Sequence, residues 1–358
     1  MDRRKFLKAA GAVAAATPIA APAIAQTTAV KWRMATSWPK SLDALYGSAA
    51  AMCERIAQIT DGKFQITPFA GGEIVPPLQV FDATANNTVE CCHTLTSYFI
   101  GKNTAYAFDA GVPFGLNTRQ QAAWMYNGGG LELMRGLFGK ANIVPVPVGN
   151  VGVQMGGWFR KEINSVDDLK GLKFRIGGMG GIVMSKLGVV PQQIGAADIY
   201  PALERGTIDA AEWIGPYDDE RLGLHKVAKI YYTPGWWEGS AQITSLVNKN
   251  AWESLPKEFR AAFEVAANEQ MALMVAKYDA SNPAATRRLL SQGVQIKAFP
   301  RPVMEACHKA TVETMDELAA KNPDFSAIYG PWKKFAEDSN AWFRVAEYTL
   351  DSARFSFK

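Results

Sequence analysis

The sequence predicts an α/β fold divided between two lobes. Strand-like and helix-like stretches alternate from Val30 onward, the pattern of sheets covered by helices. At 358 residues with 48% hydrophobic content, the chain can also bury more than one core. A third observation is the unit Asp198–Pro216, where Asp198 caps a short helix, Pro201 sits near its first turn, Gly206 ends it, and Thr207–Ile214 reads as a buried strand.

In chain order, Val30–Trp38 alternates as a strand that leads into a loop at Pro39. Leu42–Ile59 places Leu45, Ala49, Met52 and Ile56 at helical spacing, and Asp61-Gly62 turns the chain into the strand Phe64–Pro68. Gln79–Asn86 reads as a helix and Val89–Leu95 as a strand. Trp124–Phe138 is a helix broken at Gly128-Gly129-Gly130, which lack the strand-before-helix setting of a nucleotide loop. In Val148–Met155, a period of two puts Asn150, Gly152 and Gln154 on one side and Val151, Val153 and Met155 on the other. Two amides flanking a glycine suit a groove where a ligand meets backbone, although a solvated sheet face alternates in the same way. Asn164–Leu169 makes a capped turn before the strand Gly171–Gly178, a helix at Gly181–Leu187 and a short strand near Val189. Ile243–Asn248 crosses back, and a long helix opens at Leu255-Pro256 and runs towards Asn282-Pro283, with a further helical run at Ala284–Leu290. Gly293–Ala298 reads as a closing strand and Arg301-Pro302 starts more helix. Pro331–Phe355 is amphipathic, with Phe335, Trp342, Val345 and Tyr348 near helical spacing.

Three residues stand out chemically. Glu212 sits in an apolar strand between Ala211 and Trp213, and burying a carboxylate costs several kcal/mol unless a cation or donors meet it. The plain alternative is a strand-end residue in solvent. Arg175 lies on the face opposite Phe174 and Ile176, just before Gly177-Gly178, and its planar fork matches a carboxylate bidentately. Tyr98 follows the carboxyl end of a strand, where ligands of open α/β sheets sit, and it equally suits packing against Phe99 and Phe108.

The N-terminus does not belong to this fold. Arg3-Arg4 precedes a mild Ala-rich run from Ala9 to Ala20, and Ala23-Ile24-Ala25 fits a small-residue cleavage site, so residues 1–25 read as a twin-arginine-type export signal. Asp2 stands where Ser or Thr is usual, which keeps Sec export open, and either route leads to the bacterial periplasm. Removing four basic residues and one acidic residue lowers the formal charge from +4 to +1. No basic field for nucleic acid or membrane remains. Cys53, Cys91, Cys92 and Cys307 have no metal spacing and suit small buried thiols. Of His93, His225 and His308, His225 is expected to be solvated, and no His-x-x-Glu-His or Gly-x-Ser-x-Gly pattern accompanies them.

The run Lys173-Phe174-Arg175, the segment Tyr200–Pro216 and the stretch Tyr231–Glu238 resemble the periplasmic solute receptors of TRAP transporters, the DctP family. Within it the chain is similar to the branch that binds 2-oxo and 2-hydroxy monocarboxylates with a metal ion. The resemblance covers nearly all of the mature chain and implies a two-lobed periplasmic-binding-protein clamshell that closes on a carboxylate. It divides the chain into lobe I (26–150 and 245–298), lobe II (151–244) and a C-terminal helical segment (299–358). By the same resemblance Arg175 pairs with the substrate carboxylate, Gln154 and Glu212 ligate the cation by side chain, and Trp213 does so by its carbonyl. Asn150 and Glu238 line the site and Tyr98 faces it from the other lobe. All these cation ligands are oxygens, which select hard ions such as Ca²⁺, with Na⁺ equally admissible. The implied partners are a small organic acid, the TRAP membrane subunits and a second protomer joined through the C-terminal helix. A metal-assisted periplasmic enzyme using Glu212 as base towards an oxo acid is the alternative of a different class.

Overall fold

The computed structural model describes residues 29–357, so the export segment expected at 1–25 lies outside the described residues. Eleven strands among these residues form two sheets. The first holds β1 (Val30–Thr36), β2 (Phe64–Phe69), β3 (Cys91–Thr94) and β4 (Ile143–Asn150). The second holds β5 (Gly157–Phe159), β6 (Lys173–Arg175), β7 (Val190–Gln192), β8 (Ala210–Ala211) and β9 (Ile230–Thr233). The chain then returns to the first sheet as β10 (Gln242–Asn248) and to the second as β11 (Gln295–Ala298). The orders are β2-β1-β3-β10-β4 and β11-β9-β5-β8-β6-β7. β1 buries Trp32 and Met34 and exposes Lys31 and Arg33, as its alternation requires. It runs parallel to β2 and β3, whereas β10 enters antiparallel between β3 and β4. This is the two-lobed periplasmic-binding-protein fold.

Several expected elements end or join differently. The strand expected over Val148–Met155 stops at Asn150, because Gly152 takes φ +80° and donates its N–H to Asn150 Oδ1 at 2.9 Å. Beyond this turn the alternation no longer holds: Gln154 is buried while Val153 is 65% exposed. The strand expected over Thr207–Ile214 shortens to β8, pinned between β5 and β6. Its backbone runs so close to Gly157 (φ +88°) that a Cβ there would lie 2.7 Å from the Ala211 carbonyl oxygen. Lys257–Ser291 is one helix that carries Pro283 inside it, so the helical runs expected on either side of Asn282-Pro283 are continuous. That helix delivers the next strand to the other lobe: β11 pairs in parallel with β9 of the second sheet, which corrects the expected placement of 295–298 in lobe I. His225 is buried rather than solvated, and the four cysteines are buried without disulfides.

The core runs through both lobes. One apolar cluster joins Trp32 and Phe64 of the first sheet to Trp158 and Tyr231 of the second, with Trp213 just past β8. The long helix sits along it. Phe259 stacks on Phe64, with centroids 5.5 Å apart, while Tyr278 bonds Asp218 beside the second sheet. Helices Arg301–Lys321, Pro323–Val345 and Glu347–Ser356 close the chain. The first two pack on the body through Cys307, Phe325 and Trp332, but Trp342, Val345, Tyr348, Leu350 and Phe355 remain strongly exposed. No helix of the described residues is long and apolar enough to cross a membrane.

Candidate functional site

The parallel ladder of β6 and β8 sets Arg175 beside Ala211, and the Glu212 N–H donates to the Arg175 carbonyl at 3.1 Å. Sheet register therefore places a cation and a carboxylate side by side at the strand ends. Arg175 Nη1 donates to the Glu212 main-chain oxygen at 2.6 Å and also to Glu212 Oε1. Its Nε donates to the Ile194 carbonyl at 3.3 Å, and its guanidinium carbon lies 5.0 Å from the Trp213 ring centroid. Arg175 is 2% exposed, buried like Phe174 beside it, while Lys173 of the same strand is exposed.

Two chain segments complete the wall. Glu238, from the crossover between β9 and β10, accepts from Gln154 Nε2 at 3.0 Å and from the Ser97 side chain. This bond turns Gln154 Oε1 the other way, where it is buried without a partner. Gly178, at φ +60°, allows the second lobe to touch the first, since a Cβ there would lie 3.0 Å from Ser97 Cβ. Tyr98 stands next to Arg175, and burial pushes its hydroxyl pKa up. Arg175, Glu212, Trp213, Tyr98 and Glu238 thus line one cavity of about 20 Å³, roughly the space of one water. Gln154 reaches it through Glu238. Asn150 does not line it: its amide is engaged by Ser240 Oγ at 3.2 Å and by the Gly152 N–H, which makes it a support of the crossover rather than a wall. A larger groove of about 680 Å³ between Asn117, Phe343 and Glu347 is open and lacks a buried charged group.

Ser97 and Trp237 also line the cavity, and the sequence reading did not single them out. Ser97 was within reach as the hydroxyl beside Tyr98, and Trp237 as the neighbour of Glu238. The Trp237 indole N–H is buried without a partner, as is that of Trp213.

Charge concentrates here. Burial pushes the Glu212 carboxyl up to about 7 against the pull of Arg175, with Asp219 adding to the rise. Burial first and the Glu212 charge second push Glu238 up to about 8, and its bonds from Ser97 and Gln154 only partly offset this. Two carboxylates facing one guanidinium, with the orphaned Gln154 oxygen beside them, form a donor set that fits a hard cation. Among the described residues no three His, Cys, Asp or Glu side chains converge, so main-chain and ligand oxygens would have to complete its shell.

The profile of the bacterial extracellular solute-binding proteins of family 7, DctP, matches residues 34–322. The chain belongs to this family. A monocarboxylate 2-oxoacid-binding periplasmic protein of Nostoc sp. is 47% identical over 98% of both chains. A TRAP transporter solute-binding protein of Bordetella bronchiseptica is 61% identical, with a TM-score of 0.91, over 92% of this chain and 98% of its own. Its crystal structure is of a mixed-occupancy dimer with copurified calcium and picolinate in one active site and an apo site in the other. A TRAP periplasmic solute-binding protein of Pseudoalteromonas atlantica holds sodium and pyruvate. It is 37% identical with a TM-score of 0.88, over 91% of this chain and 99% of its own.

Proposed function

We propose that this chain is the periplasmic receptor of a TRAP transporter that captures a 2-oxo or 2-hydroxy monocarboxylate, such as pyruvate or lactate, together with Ca²⁺ or Na⁺. It is a carrier rather than an enzyme, and it hands the acid to the membrane subunits. The observation that carries this reading is the buried Arg175 fork set against two carboxylates and an orphaned amide oxygen in one interlobe cavity. Arg175 takes the acid's carboxylate. Glu212, the Gln154 oxygen and the Trp213 carbonyl hold the cation, and Glu238 fixes Gln154. Tyr98 closes the cavity from the first lobe, with the lobes hinging at the crossovers near residues 150 and 244. Pyruvate and picolinate, found in the relatives, both carry a second donor atom on the carbon next to the carboxylate, so both can chelate one ion.

Sharing one cation couples metal and acid, and the coupling is reciprocal. In titration calorimetry of chelator-treated protein, added calcium or sodium should tighten pyruvate or lactate binding about tenfold or more. Equal affinity with and without ions, after elemental analysis confirms metal removal, refutes the shared site. The strip of Trp342, Val345, Tyr348, Leu350 and Phe355 is covered in this reading by a second copy of the chain, as the dimer of the Bordetella bronchiseptica relative supports. Leu350→Asp should then lower the mass seen by light scattering to that of a monomer.

A further inference from the structure

We infer that Glu212 is the internal counterion of Arg175 and exchanges partners on loading: its carboxylate passes from the guanidinium to the cation, and the acid's carboxylate takes the place it leaves. This deepens the receptor reading above and rests on it.

The geometry separates what fixes Arg175 from what merely occupies it. The Ile194 carbonyl receives Nε at 3.3 Å, the Glu212 main-chain oxygen receives Nη1 at 2.6 Å, and the Trp213 ring lies 5.0 Å from the guanidinium carbon. None of the three involves the Glu212 side chain. They aim the guanidinium whether that side chain stays or leaves. Among the described residues, the Glu212 carboxylate is the one acidic group within ion-pair distance of Arg175. The cavity around the pair, about 20 Å³, has no room for a second carboxylate beside it. With the lobes in this arrangement, an acid reaches Arg175 Nη1 by displacing the Glu212 carboxylate.

Charge decides when that displacement is favourable. Arg175 and Glu212 neutralise each other while 2% and 6% exposed. An acid alone would set Glu212 aside as a buried, unpaired carboxylate, which is strongly unfavourable. With a cation present, both anions keep a positive partner, and the Gln154 oxygen supplies a further ligand on Glu212's new side. Glu212 thus makes the empty receptor reject acids that arrive without the ion.

Glu212→Gln separates this exchange from a simple shared ligand. A shared ligand predicts that acid affinity without ions is the same in the variant and the wild type. Exchange predicts that cation-free Glu212→Gln binds pyruvate about tenfold or more tighter than cation-free wild type, while added calcium or sodium no longer helps. Calorimetry on chelator-treated protein, with circular dichroism to check folding, reads this directly. If wild type binds pyruvate with calcium but the variant gains nothing without it, the exchange is overturned and the receptor reading stands. If wild type binds no small acid with either ion, both fall. Should the variant not fold, arginine side-chain ¹⁵N spectra of wild type decide. Pyruvate alone should leave the Arg175 guanidinium signals, assigned with Arg175→Lys, unmoved, and the same pyruvate with calcium should move them; signals moved equally by pyruvate without calcium overturn the exchange.

Discussion

Glu212 and Asp219 are both buried carboxylates on one short stretch of chain, yet they are held in opposite ways. Asp219 Oδ1 accepts the main-chain N–H groups of Ile214 and Gly215, each at 3.2 Å, and Oδ2 accepts Trp158 Nε1 at 2.9 Å and the Tyr231 hydroxyl at 2.6 Å. Those donors cannot leave: two are backbone, and the other two belong to rings stacked 3.9 Å apart in the core. Glu212 instead pairs through its side chain with another side chain at a cavity wall, next to polar atoms that have no partner. The difference lies in the partners and not in burial. A carboxylate saturated by backbone and packed aromatics is part of the scaffold, whereas one paired with a side-chain cation at a cavity wall is available for exchange.

The comparison can be broken at its scaffold end first. Asp219→Ala leaves four donors without an acceptor, and at about 1–3 kcal/mol for each orphaned group the loss should be on the order of 5 kcal/mol after relaxation. Urea unfolding should show it as a large fall in midpoint; a loss below about 1 kcal/mol would make Asp219 as replaceable as an exposed residue. At the site end, Arg175→Lys keeps the charge and loses the fork, so it should weaken acid binding by about 2–5 kcal/mol. Calorimetric affinity within twofold of wild type would remove Arg175 from the site.

Asp218 sharpens the contrast because it is neither saturated nor in the cavity. Its Oδ2 accepts from the Tyr278 hydroxyl at 2.8 Å, its Oδ1 has no partner, and burial pushes its pKa up to about 7, with Asp219 and Asp43 adding and Arg221 opposing. The folded state thus holds this proton more tightly than the unfolded chain, where the group titrates near 3.8. Its contribution is fully present below about pH 4 and is lost as pH rises through about 7. Asp218→Asn should therefore flatten the decline of the melting temperature between about pH 4 and pH 7, by about 1–2 °C for each kcal/mol recovered. An unchanged slope would show that Asp218 is ionised throughout.

The site was more legible in the sequence than the scaffold around it. Arg175 and Glu212 could be found because each violates a local apolar pattern, and register then needed only neighbouring strands to bring them together. Asn150 was placed at the site by the resemblance, and the period-two alternation that set it on one face with Gln154 fails between them, where a positive φ at Gly152 ends the strand. The partner of β11 was out of reach, since its pairing with β9 depends on a long helix crossing between lobes and not on any local signal. The continuity of that helix through Pro283 was hidden for a related reason: tertiary packing of Tyr278 and Leu289 outweighs the missing N–H.

The helix Lys257–Ser291 also bears on how the molecule comes apart. Its first turns are wedged beside Phe64 and Trp32, its middle is tied to Asp218, and its last turns reach Glu220 through Arg288. Neither half of the protein can melt while leaving this rod intact and solvated, because each would strip apolar surface from a member the other still needs. The two lobes share one cooperative unit of unfolding, so calorimetric melting should be a single transition rather than two, and acid and ion bound between the lobes should move all of it together.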